Sequence, residues 1–395
     1  MIMQDNEKKP ALRFKGFTDP WEQRKLGEIC DFITKGATPT TYGFSWQPDG
    51  VPFFRNDSIK DNVFVFGEFS YISEAANEVL KRSEVHGNDI LIAITGDIGK
   101  VGIIPDTVEK ANINQHIARV RIRKEALPYF VYQYLASDDT QKEYQKIKTG
   151  LSMPQLSLEQ VRDIVVKIPE FNEQGKIADC LRRIDTLITL HQRKYEKLVN
   201  IKKSMLDKMF PQNGASVPEI RFKGFTDPWE QRKLGDLCVE FRSGEFISAS
   251  DITETGEYPV FGGNGLRGFT DRFNHDGEYT LIGRQGALCG NVNFAVGKSY
   301  FTEHAIAVRA DKKNQTRFLY YLFSTMDLGQ YSGQSAQPGL AVGNLVELKS
   351  TLPDKQEQEK ISGVLTALDT LITLHQRKLE KLQNIKKSCL EKMFV

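Results

Sequence analysis

The stretch DTLITLHQRKYEKLVNIKKSMLDKMF occupies residues 185–210 and returns at 369–394 as DTLITLHQRKLEKLQNIKKSCLEKMF, with four substitutions. Apolar residues in both copies follow alternating steps of four and three, and no Pro or Gly lies between Gly175 and Pro211. This period predicts one long amphipathic helix in each copy. Two near-identical helices in one chain favour an antiparallel coiled coil. A helix of about 34 residues would be about 50 Å long.

The apolar stripe of each helix is predicted to form the contact with the other helix. It includes Leu187 and Ile188 in the first copy and Leu371 and Ile372 in the second. We therefore expect Asp at Leu187 and Leu371 to place unpaired charges in the interface and to disrupt helix pairing and partner assembly. His191 and His375 also lie on the stripe, and we expect them to be interior polar residues and not metal ligands.

A second repeat, RFKGFTDPWEQRKLG, occurs at residues 13–27 and 221–235 and is called the RFKGF motif below. Its copies are 208 residues apart, whereas the helical copies are 184 apart, so the segment between motif and helix is 24 residues longer in the first half. Residues 29–167 and 237–351 share little beyond a few anchor points. The chain is therefore predicted to contain two half-units, alike at their ends and unlike in the middle. We call the repeated ends the frame and the dissimilar middle segments the inserts. This pattern indicates that the frame binds the same partner twice and that the two inserts bind different targets.

Composition is that of a globular protein. The 395 residues, of which 40% are hydrophobic, leave room for two or more domains. No apolar run approaches the ~18 residues that span a bilayer, and the N-terminus lacks a signal-peptide apolar segment, so we expect a cytoplasmic protein. The five cysteines include no CxxC pair and are expected to be packing thiols.

Charge is unevenly distributed, although the net charge is only +2. Residues 176–210 hold nine Lys or Arg against four Asp or Glu, and residues 360–394 hold seven against three. The rest of the chain is therefore acidic on balance. The basic helical segments indicate either a solvated helix face or a surface for phosphate or an acidic partner.

Short motifs of several enzyme classes are missing. VFGGNG at 260–265 has the shape of a cofactor loop in AdoMet-dependent methyltransferases, but the chain has no Pro-Pro pair of the Asn-Pro-Pro-Tyr kind. A Walker-like GKS follows Gly290, but Gly290 and Gly297 are seven residues apart where five are needed. GxSxG, HExxH and metal-spaced His clusters do not occur. The sequence predicts no catalytic residue and no metal ligand in this chain.

Two long runs carry a family resemblance. They are LSMPQLSLEQVRDIVVKIPEFNEQGKIADCLRRIDTLI (151–188) and QPGLAVGNLVELKSTLPDKQEQEKISGVLTALDTLI (337–372). Together with the WEQRKLG end of the RFKGF motif, they resemble the specificity subunit (HsdS) of a type I restriction-modification enzyme. Each run has a proline before a Glu-Gln pair: Pro169, Glu173 and Gln174, then Pro353, Glu357 and Gln358. DILIAITGDIGKVGII and YPVFGGNG…LIGRQGALCG resemble stretches typical of target-recognition domains in this family.

The resemblance implies an α/β (α+β) fold with internal pseudo-twofold duplication. Two globular target-recognition domains with twisted, mostly antiparallel sheets would be separated by the two long helices. The expected segments are 1–168 (first target-recognition domain with its RFKGF motif), 169–210 (first spacer helix), 211–220 (linker), 221–352 (second target-recognition domain with its motif) and 353–395 (second spacer helix).

The resemblance also implies a non-catalytic role in phage defence. Each target-recognition domain would read one half of a bipartite, asymmetric site in double-stranded DNA. The duplicated helices would set the spacing and dock two methyltransferase (HsdM) subunits, and restriction (HsdR) subunits would join through the complex. AdoMet, ATP and Mg²⁺ would belong to these partners, and because the inserts are acidic, most phosphate contacts would too. The residues expected on the partner-binding or spacer helices are Glu173, Gln174, Leu187, Ile188, Glu357, Gln358, Leu371 and Ile372.

Base-reading candidates are polar residues in loops between strand-like runs, because base edges need bidentate Arg, Asn or Gln partners. In the first insert they are Thr38, Thr40, Thr41, Tyr42, Arg55, Asn56, Thr95, Lys100, Asn114, Gln115, His116, Ser152 and Gln155. In the second they are Asn264, Arg267, Arg284, Gln285, Thr302, Glu303, His304, Gln334 and Gln337.

Two other classes of function remain open at this point. A stand-alone DNA methyltransferase or nuclease would bind its cofactor as an isolated chain. A coiled-coil scaffold without base recognition would give an assembled complex with no sequence preference.

Overall fold

A computed structural model describes residues 9–67, 69–150, 153–212, 214–286, 288–333 and 339–394. The chain forms two compact units. Unit 1 contains the described residues of Met1–His191 and Lys378–Val395, and unit 2 contains those of Gln192–Arg377. Each unit therefore includes the end of a long helix whose beginning lies in the other unit.

Unit 1 contains twelve strands within its described residues. They are β1 (Glu22–Lys25), β2 (Cys30–Lys35), β3 (Val51–Phe54), β4 (Ile59–Lys60), β5 (Val63–Phe64), β6 (Ser70–Ile72), β7 (Glu84–Val85), β8 (Ile90–Ala93), β9 (Val101–Ile103), β10 (Ala111–Ile113), β11 (Ile117–Ile122) and β12 (Val165–Ile168). The α-helices that begin in it are α1 (Glu74–Val79), α2 (Pro128–Leu135), α3 (Asp138–Ile147), α4 (Leu158–Arg162) and the long α5 (Phe171–Met209).

Two four-stranded sheets form the body of unit 1. One has the strand order β2-β11-β8-β9 and is antiparallel throughout. The other has the order β6-β3-β10-β7, in which only β3 and β10 are parallel. β1 of the RFKGF motif pairs with β12, the strand just before α5, so the motif and the long helix are joined at one point.

Unit 2 repeats this plan with fewer elements. Its strands are β13 (Glu230–Lys233), β14 (Cys238–Ser243), β15 (Tyr258–Gly262), β16 (Gly265–Thr270), β17 (Glu278–Gly283), β18 (Val292–Val296), β19 (Tyr300–Phe301), β20 (Ala305–Ala310) and β21 (Lys349–Leu352). The α-helices that begin in it are α6 (Thr316–Thr325), α7 (Val342–Glu347) and the long α8 (Lys355–Met393).

The sheets of unit 2 match those of unit 1 strand for strand at their centres. The order β14-β20-β17-β18 is antiparallel, like β2-β11-β8-β9. In the order β16-β15-β19, β15 and β19 are parallel, as β3 and β10 are. β13 of the second RFKGF motif pairs with β21, just before α8. The predicted α/β (α+β) class with mostly antiparallel sheets is confirmed.

Proline residues lie beside both long helices. Pro169 and Pro353 lie two residues before α5 and α8. Pro211 follows α5, where a proline cannot continue the backbone hydrogen bonds of the helix. Each helix has 39 residues, or about 58 Å of helix. No helix within the described ranges is both long and apolar enough to cross a membrane.

The two helices pair through the same ion pair in each unit. In unit 1, Lys386 Nζ lies 2.8 Å from Asp185 Oδ1. In unit 2, Lys202 Nζ lies 2.6 Å from Asp369 Oδ1. Asp185 and Asp369 are equivalent positions of the helical repeat, and so are Lys202 and Lys386. Along α5 the contacts run from residue 185 to residue 202, while along α8 they run back from residue 386 to residue 369. The helices are therefore antiparallel. The predicted antiparallel pairing is confirmed.

The core of each unit includes the end of a long helix from a distant part of the sequence. In unit 1, Phe394 of the segment after α8 packs against Trp21 of the RFKGF motif and Phe130 of α2. In unit 2, Phe210 of the segment after α5 makes the equivalent contacts with Trp229 and Phe318. This shared packing explains why the helical repeat and the RFKGF motif are both duplicated.

A buried ion pair joins each RFKGF motif to its long helix. Arg13 donates two hydrogen bonds to the Glu173 carboxylate, at 2.7 and 2.8 Å. Arg221 makes the same two-bond contact with Glu357, both at 2.8 Å. The glutamate side chains are at most 1% exposed, so the arginine supplies the countercharge that a buried carboxylate requires.

The glutamines beside these glutamates also act within their own unit. Gln174 accepts a bond from Leu127 N and donates one to Pro169 O. Gln358 accepts a bond from Gln315 N and donates one to Pro353 O. They hold the start of α2 and of α6 against the long helices. All four residues lie on the long helices and their side chains are buried, so Glu173, Gln174, Glu357 and Gln358 are spacer-helix residues whose contacts are made within the chain and not with a partner.

The leucines expected in the helix interface lie on the opposite side. Leu187 is 45% exposed in unit 1, and Leu371 is 42% exposed in unit 2. Ile188 and Ile372 are only partly exposed, because they belong to the side of the helices that packs. The expectation that Asp at Leu187 and Leu371 disrupts helix pairing, which required both leucines to be buried, is therefore wrong.

Removing the arginine of the buried ion pair should destabilise unit 1. In Arg13→Ala the Glu173 carboxylate stays buried without its partner, which costs about 3–5 kcal/mol. Urea denaturation followed by circular dichroism measures this loss. Lys142→Ala, which breaks an exposed pair with Asp139, is the control and should cost no more than about 1 kcal/mol. Equal, small losses in both variants would contradict the structural role of Arg13.

Candidate nucleic-acid interface

Five loops of unit 1 converge beyond the ends of β3, β8 and β10. We call residues 36–43, 55–58, 94–100, 114–116 and 153–156 loop set 1. Asn56 Nδ2 donates to Thr95 O at 3.0 Å, and Thr95 forms a β-bridge with Gln155. The structure thus brings together predicted residues from five separate stretches of sequence.

A short hydrogen-bond chain orients Gln115 at the centre of loop set 1. The Thr38 hydroxyl donates to Gln115 Oε1 at 2.5 Å, and Gln115 Nε2 lies 3.0 Å from His116 Nε2. Asn114 Oδ1 accepts a bond from His116 N at 3.2 Å. These bonds hold the Gln115 amide in one orientation. Because Gln115 is exposed, the oriented amide faces solvent.

The remaining predicted residues of unit 1 lie around this centre. Thr40, Thr41 and Tyr42 are exposed on the turn that follows Thr38. Arg55 Nη2 donates to Ser70 Oγ at 2.9 Å. Lys100 forms an ion pair with Asp97 at 2.7 Å. Ser152 lies outside the described residues.

Unit 2 contains a matching group of loops. We call residues 244–248, 262–267, 284–286, 302–304 and 339–340 loop set 2. Asn264 and Arg267 are exposed at and after the β15–β16 turn, and Gln285 is exposed and bridges to Gly339. His304 Nε2 lies 3.2 Å from Glu303 Oε1. Gln334 and Gln337 lie outside the described residues.

One prediction in loop set 2 is wrong. The Thr302 side chain is fully buried, and its hydroxyl oxygen accepts a bond from His304 N at 3.3 Å. It shapes the turn that presents Glu303 and His304, and it cannot reach a base.

The two loop sets share one backbone scaffold. In unit 1 the bonds are Ile94 N to His116 O (2.9 Å), Leu156 N to Ile94 O (2.9 Å) and Asn114 N to Phe54 O (3.1 Å). In unit 2 they are Arg284 N to His304 O (2.9 Å), Leu340 N to Arg284 O (2.8 Å) and Thr302 N to Phe261 O (2.9 Å). These bonds define equivalent positions although the two inserts have little sequence in common.

A glycine allows the close approach in each scaffold. A Cβ atom on Gly36 would lie 2.0 Å from Ile113 O, and one on Gly244 would lie 2.2 Å from Phe301 O. Any side chain would push the first loop away from the loop that presents Gln115 or Glu303. Because there is no room for a Cβ atom, both units require glycine at this equivalent position.

The side chains that this common scaffold carries differ between the units, and each is exposed or partly exposed. Gln115 corresponds to Glu303, and Thr95 corresponds to Gln285. The histidine that follows, His116 or His304, is the same in both units. The two units therefore present different hydrogen-bonding groups from one framework.

Phe246 is a residue of loop set 2 that the sequence did not single out. It occupies the position equivalent to Thr38 and is 75% exposed. An exposed aromatic ring suits contact with a thymine methyl group or stacking. Phe246 lies two residues after Gly244, just as Thr38 lies two residues after Gly36. This shared spacing could have identified Phe246 from the sequence.

Neither loop set contains a cysteine, and the cysteines on the strands β2 and β14 are buried or half-buried. Burial raises the pKa of Cys30 and of its equivalent Cys238 to about 12, so both thiols stay protonated near neutral pH. Within the described ranges, no group of three or more His, Cys, Asp or Glu side chains is placed to hold a metal ion.

Comparison with known proteins gives the class. The family described as type I restriction modification DNA specificity domain matches residues 18–200 and 226–384, and the chain belongs to this family. The resemblance to a type I specificity subunit is thereby confirmed. The family membership makes sequence-specific DNA recognition in a type I restriction-modification system the function of this chain.

Particular relatives cover nearly the whole chain. The EcoprrI specificity subunit of Escherichia coli is 30% identical over 372 residues, covering 90% of this chain and 89% of that protein. The putative MjaX specificity subunit of Methanocaldococcus jannaschii is 24% identical, covering 93% and 91%. The crystal structure of a type I S subunit from M. genitalium has the same fold, with a TM-score of 0.74 at 17% identity and coverage of 98% and 99%.

Alanine at Gly36 should separate the loops of unit 1. The added Cβ would overlap a backbone oxygen, and relief of such overpacking costs up to about 3 kcal/mol. Urea denaturation measures the change. Gly67→Ala, whose added Cβ meets no atom within 4 Å, is the matched control and should be neutral. A neutral Gly36→Ala would show that the loops do not need this approach.

Proposed function

We propose that loop set 1 and loop set 2 each read one half of a bipartite, asymmetric site in double-stranded DNA. The observation that carries the proposal is the common backbone scaffold with different side chains at equivalent positions. Because base pairs differ in the donors and acceptors of their groove edges, a change of side chain on a fixed scaffold changes the preferred base. Two such scaffolds in one chain suit a site with two unlike halves.

Gln115 and Glu303 illustrate the difference in preference. A glutamine amide can donate and accept, as a bidentate contact with adenine requires, whereas a glutamate carboxylate only accepts, as the amino group of cytosine requires. The chain Thr38–Gln115–His116 fixes the amide before DNA arrives. Such preorganisation lowers the entropy lost on binding.

The long helices would dock two copies of a methyltransferase subunit. Leu187 and Leu190 are exposed in unit 1, and the equivalent Leu371 and Leu374 are exposed in unit 2, at 42–48% for the four. In each pair the leucines are three residues apart and lie on one helix face. Identical apolar patches in two units suit two copies of one partner.

The chain itself would be non-catalytic. Methyltransferase (HsdM) subunits would bind AdoMet and methylate adenine in each half-site, and restriction (HsdR) subunits would join through the complex with ATP and Mg²⁺. The acidic balance outside the basic helical segments supports partner subunits as the source of most phosphate contacts. The continuous helices α5 and α8 would set the number of unread base pairs between the halves.

Co-expression with a type I methyltransferase subunit, followed by base-resolution sequencing of methylated DNA, tests the proposal. We expect a split, asymmetric motif with methyladenine in each half. Methylation without a motif would indicate a scaffold. Binding of AdoMet by the isolated chain, with methylation in the absence of any partner, would indicate a stand-alone enzyme.

Aspartate at Leu187 and Leu371 together should abolish assembly with the methyltransferase without unfolding the chain. Both leucines are exposed, so the change in unfolding free energy should stay within about 0.5 kcal/mol. Co-purification measures assembly, and urea denaturation of the free chain measures stability.

Thr186→Asp with Thr370→Asp is the matched control, since it adds the same charges at exposed neighbouring positions on another helix face. This control should still assemble. Wild-type assembly of the leucine variant would exclude the patches as the docking surface.

A further inference from the structure

We propose that Arg55 and Arg267 read a guanine in the first and second half-site, respectively. The inference rests on the proposed bipartite recognition and names one base contact in each half. It comes from a structural equivalence between two arginines that lie at unrelated positions in the sequence.

Arg55 directly follows β3 and is the first residue of the 55–58 loop of loop set 1. Its guanidinium carbon lies 4.8 Å from the centre of the Trp46 ring, and Nη2 donates to Ser70 Oγ at 2.9 Å. Stacking and one hydrogen bond together fix the plane of the guanidinium group. Arg55 is exposed, so its remaining N–H groups are available in a fixed orientation.

The backbone position equivalent to Arg55 in unit 2 is Gly262. Asn114 N bonds to Phe54 O in unit 1, and Thr302 N bonds to Phe261 O in unit 2; Arg55 and Gly262 are the next residues after these two acceptors. Position 262 in unit 2 therefore has no side chain, whereas the equivalent position 55 in unit 1 is an arginine.

Arg267 occupies the space that Gly262 leaves. A Cβ atom on Gly262 would lie 2.6 Å from Arg267 Cδ and 3.3 Å from Arg267 Cγ. The stem of Arg267 thus lies where a side chain at residue 262 would begin. Arg267 comes from β16, which pairs with β15 through a two-residue turn.

Both units therefore bring an arginine to the same point of the scaffold by different routes. Gly262 does not have a positive φ, so the space for Arg267 is the reason for glycine at this position. No hydrogen bond or ion pair of the Arg267 guanidinium is found among the described residues. The N–H groups needed for a contact with DNA are thus exposed in unit 2 as in unit 1.

Guanine is the base that suits this group. Its O6 and N7 acceptors in the major groove match two parallel N–H donors of one guanidinium group. An arginine can also make a two-bond contact with a phosphate, but a phosphate is the same at every base pair. Only a base contact makes the preferred base depend on the planar pair of donors, which lysine lacks.

Lysine substitution in the full chain, assembled with the methyltransferase, separates these two contacts. We expect Arg55→Lys to lose discrimination at one G·C pair of the first half-site, roughly 5- to 150-fold, and to leave the second half-site unchanged. Arg267→Lys should do the reverse. Base-resolution sequencing of methylated DNA reads both halves in each variant.

Gly262→Ala should have the same effect as Arg267→Lys, because the added Cβ displaces the Arg267 stem, and this flexible stem can move without a backbone shift. Gly343→Ala, whose Cβ meets no atom within 4 Å, is the control and should keep the wild-type motif.

The possible outcomes distinguish failure of the guanine contacts from failure of bipartite recognition. A wild-type motif without a G·C pair in either half, or lysine variants that keep the wild-type motif, would overturn the guanine contacts and leave bipartite recognition intact. A wild-type complex that methylates without a split motif would overturn bipartite recognition itself, and the guanine contacts with it.

Discussion

The structure depends on a buried carboxylate at the start of each long helix. Glu173 and Glu357 are stable there only because Arg13 and Arg221 each supply two charge-assisted hydrogen bonds. This requirement ties the RFKGF motif to the helix, and β1 or β13 to the strand that precedes the helix. The aromatic packing of each unit then needs the end of the other long helix. The same local constraint therefore operates once in each unit.

The bases that the two loop sets prefer can differ because the frame and the loop scaffold are the same in both units. Each loop set is held by backbone hydrogen bonds and by a glycine at its closest approach, and these do not depend on the exposed side chains. Gln115 can therefore correspond to Glu303, and Thr38 to Phe246, without a change of fold. The same separation explains how an arginine can reach one point of the scaffold from two different strands.

The sequence predicted the long helices, their pairing and the family, because a 3.6-residue period and long repeats are local signals. It did not predict which part of the apolar stripe packs: Leu187 and Ile188 are neighbours in sequence but point about 100° apart on a helix. Burial of Glu173 and Thr302 depends on partners from distant segments. The equivalence of the two loop sets lies in backbone hydrogen bonds, which two dissimilar sequences do not reveal.

The most direct test of this account is to replace residues 237–351 with a second copy of residues 29–167, joined at equivalent positions of both frames. The methylated motif of the assembled complex, read base by base, should then consist of two copies of the first half-site in inverted orientation. A motif that keeps the original second half, or that changes in both halves, would contradict the claim that one frame carries two independent readers.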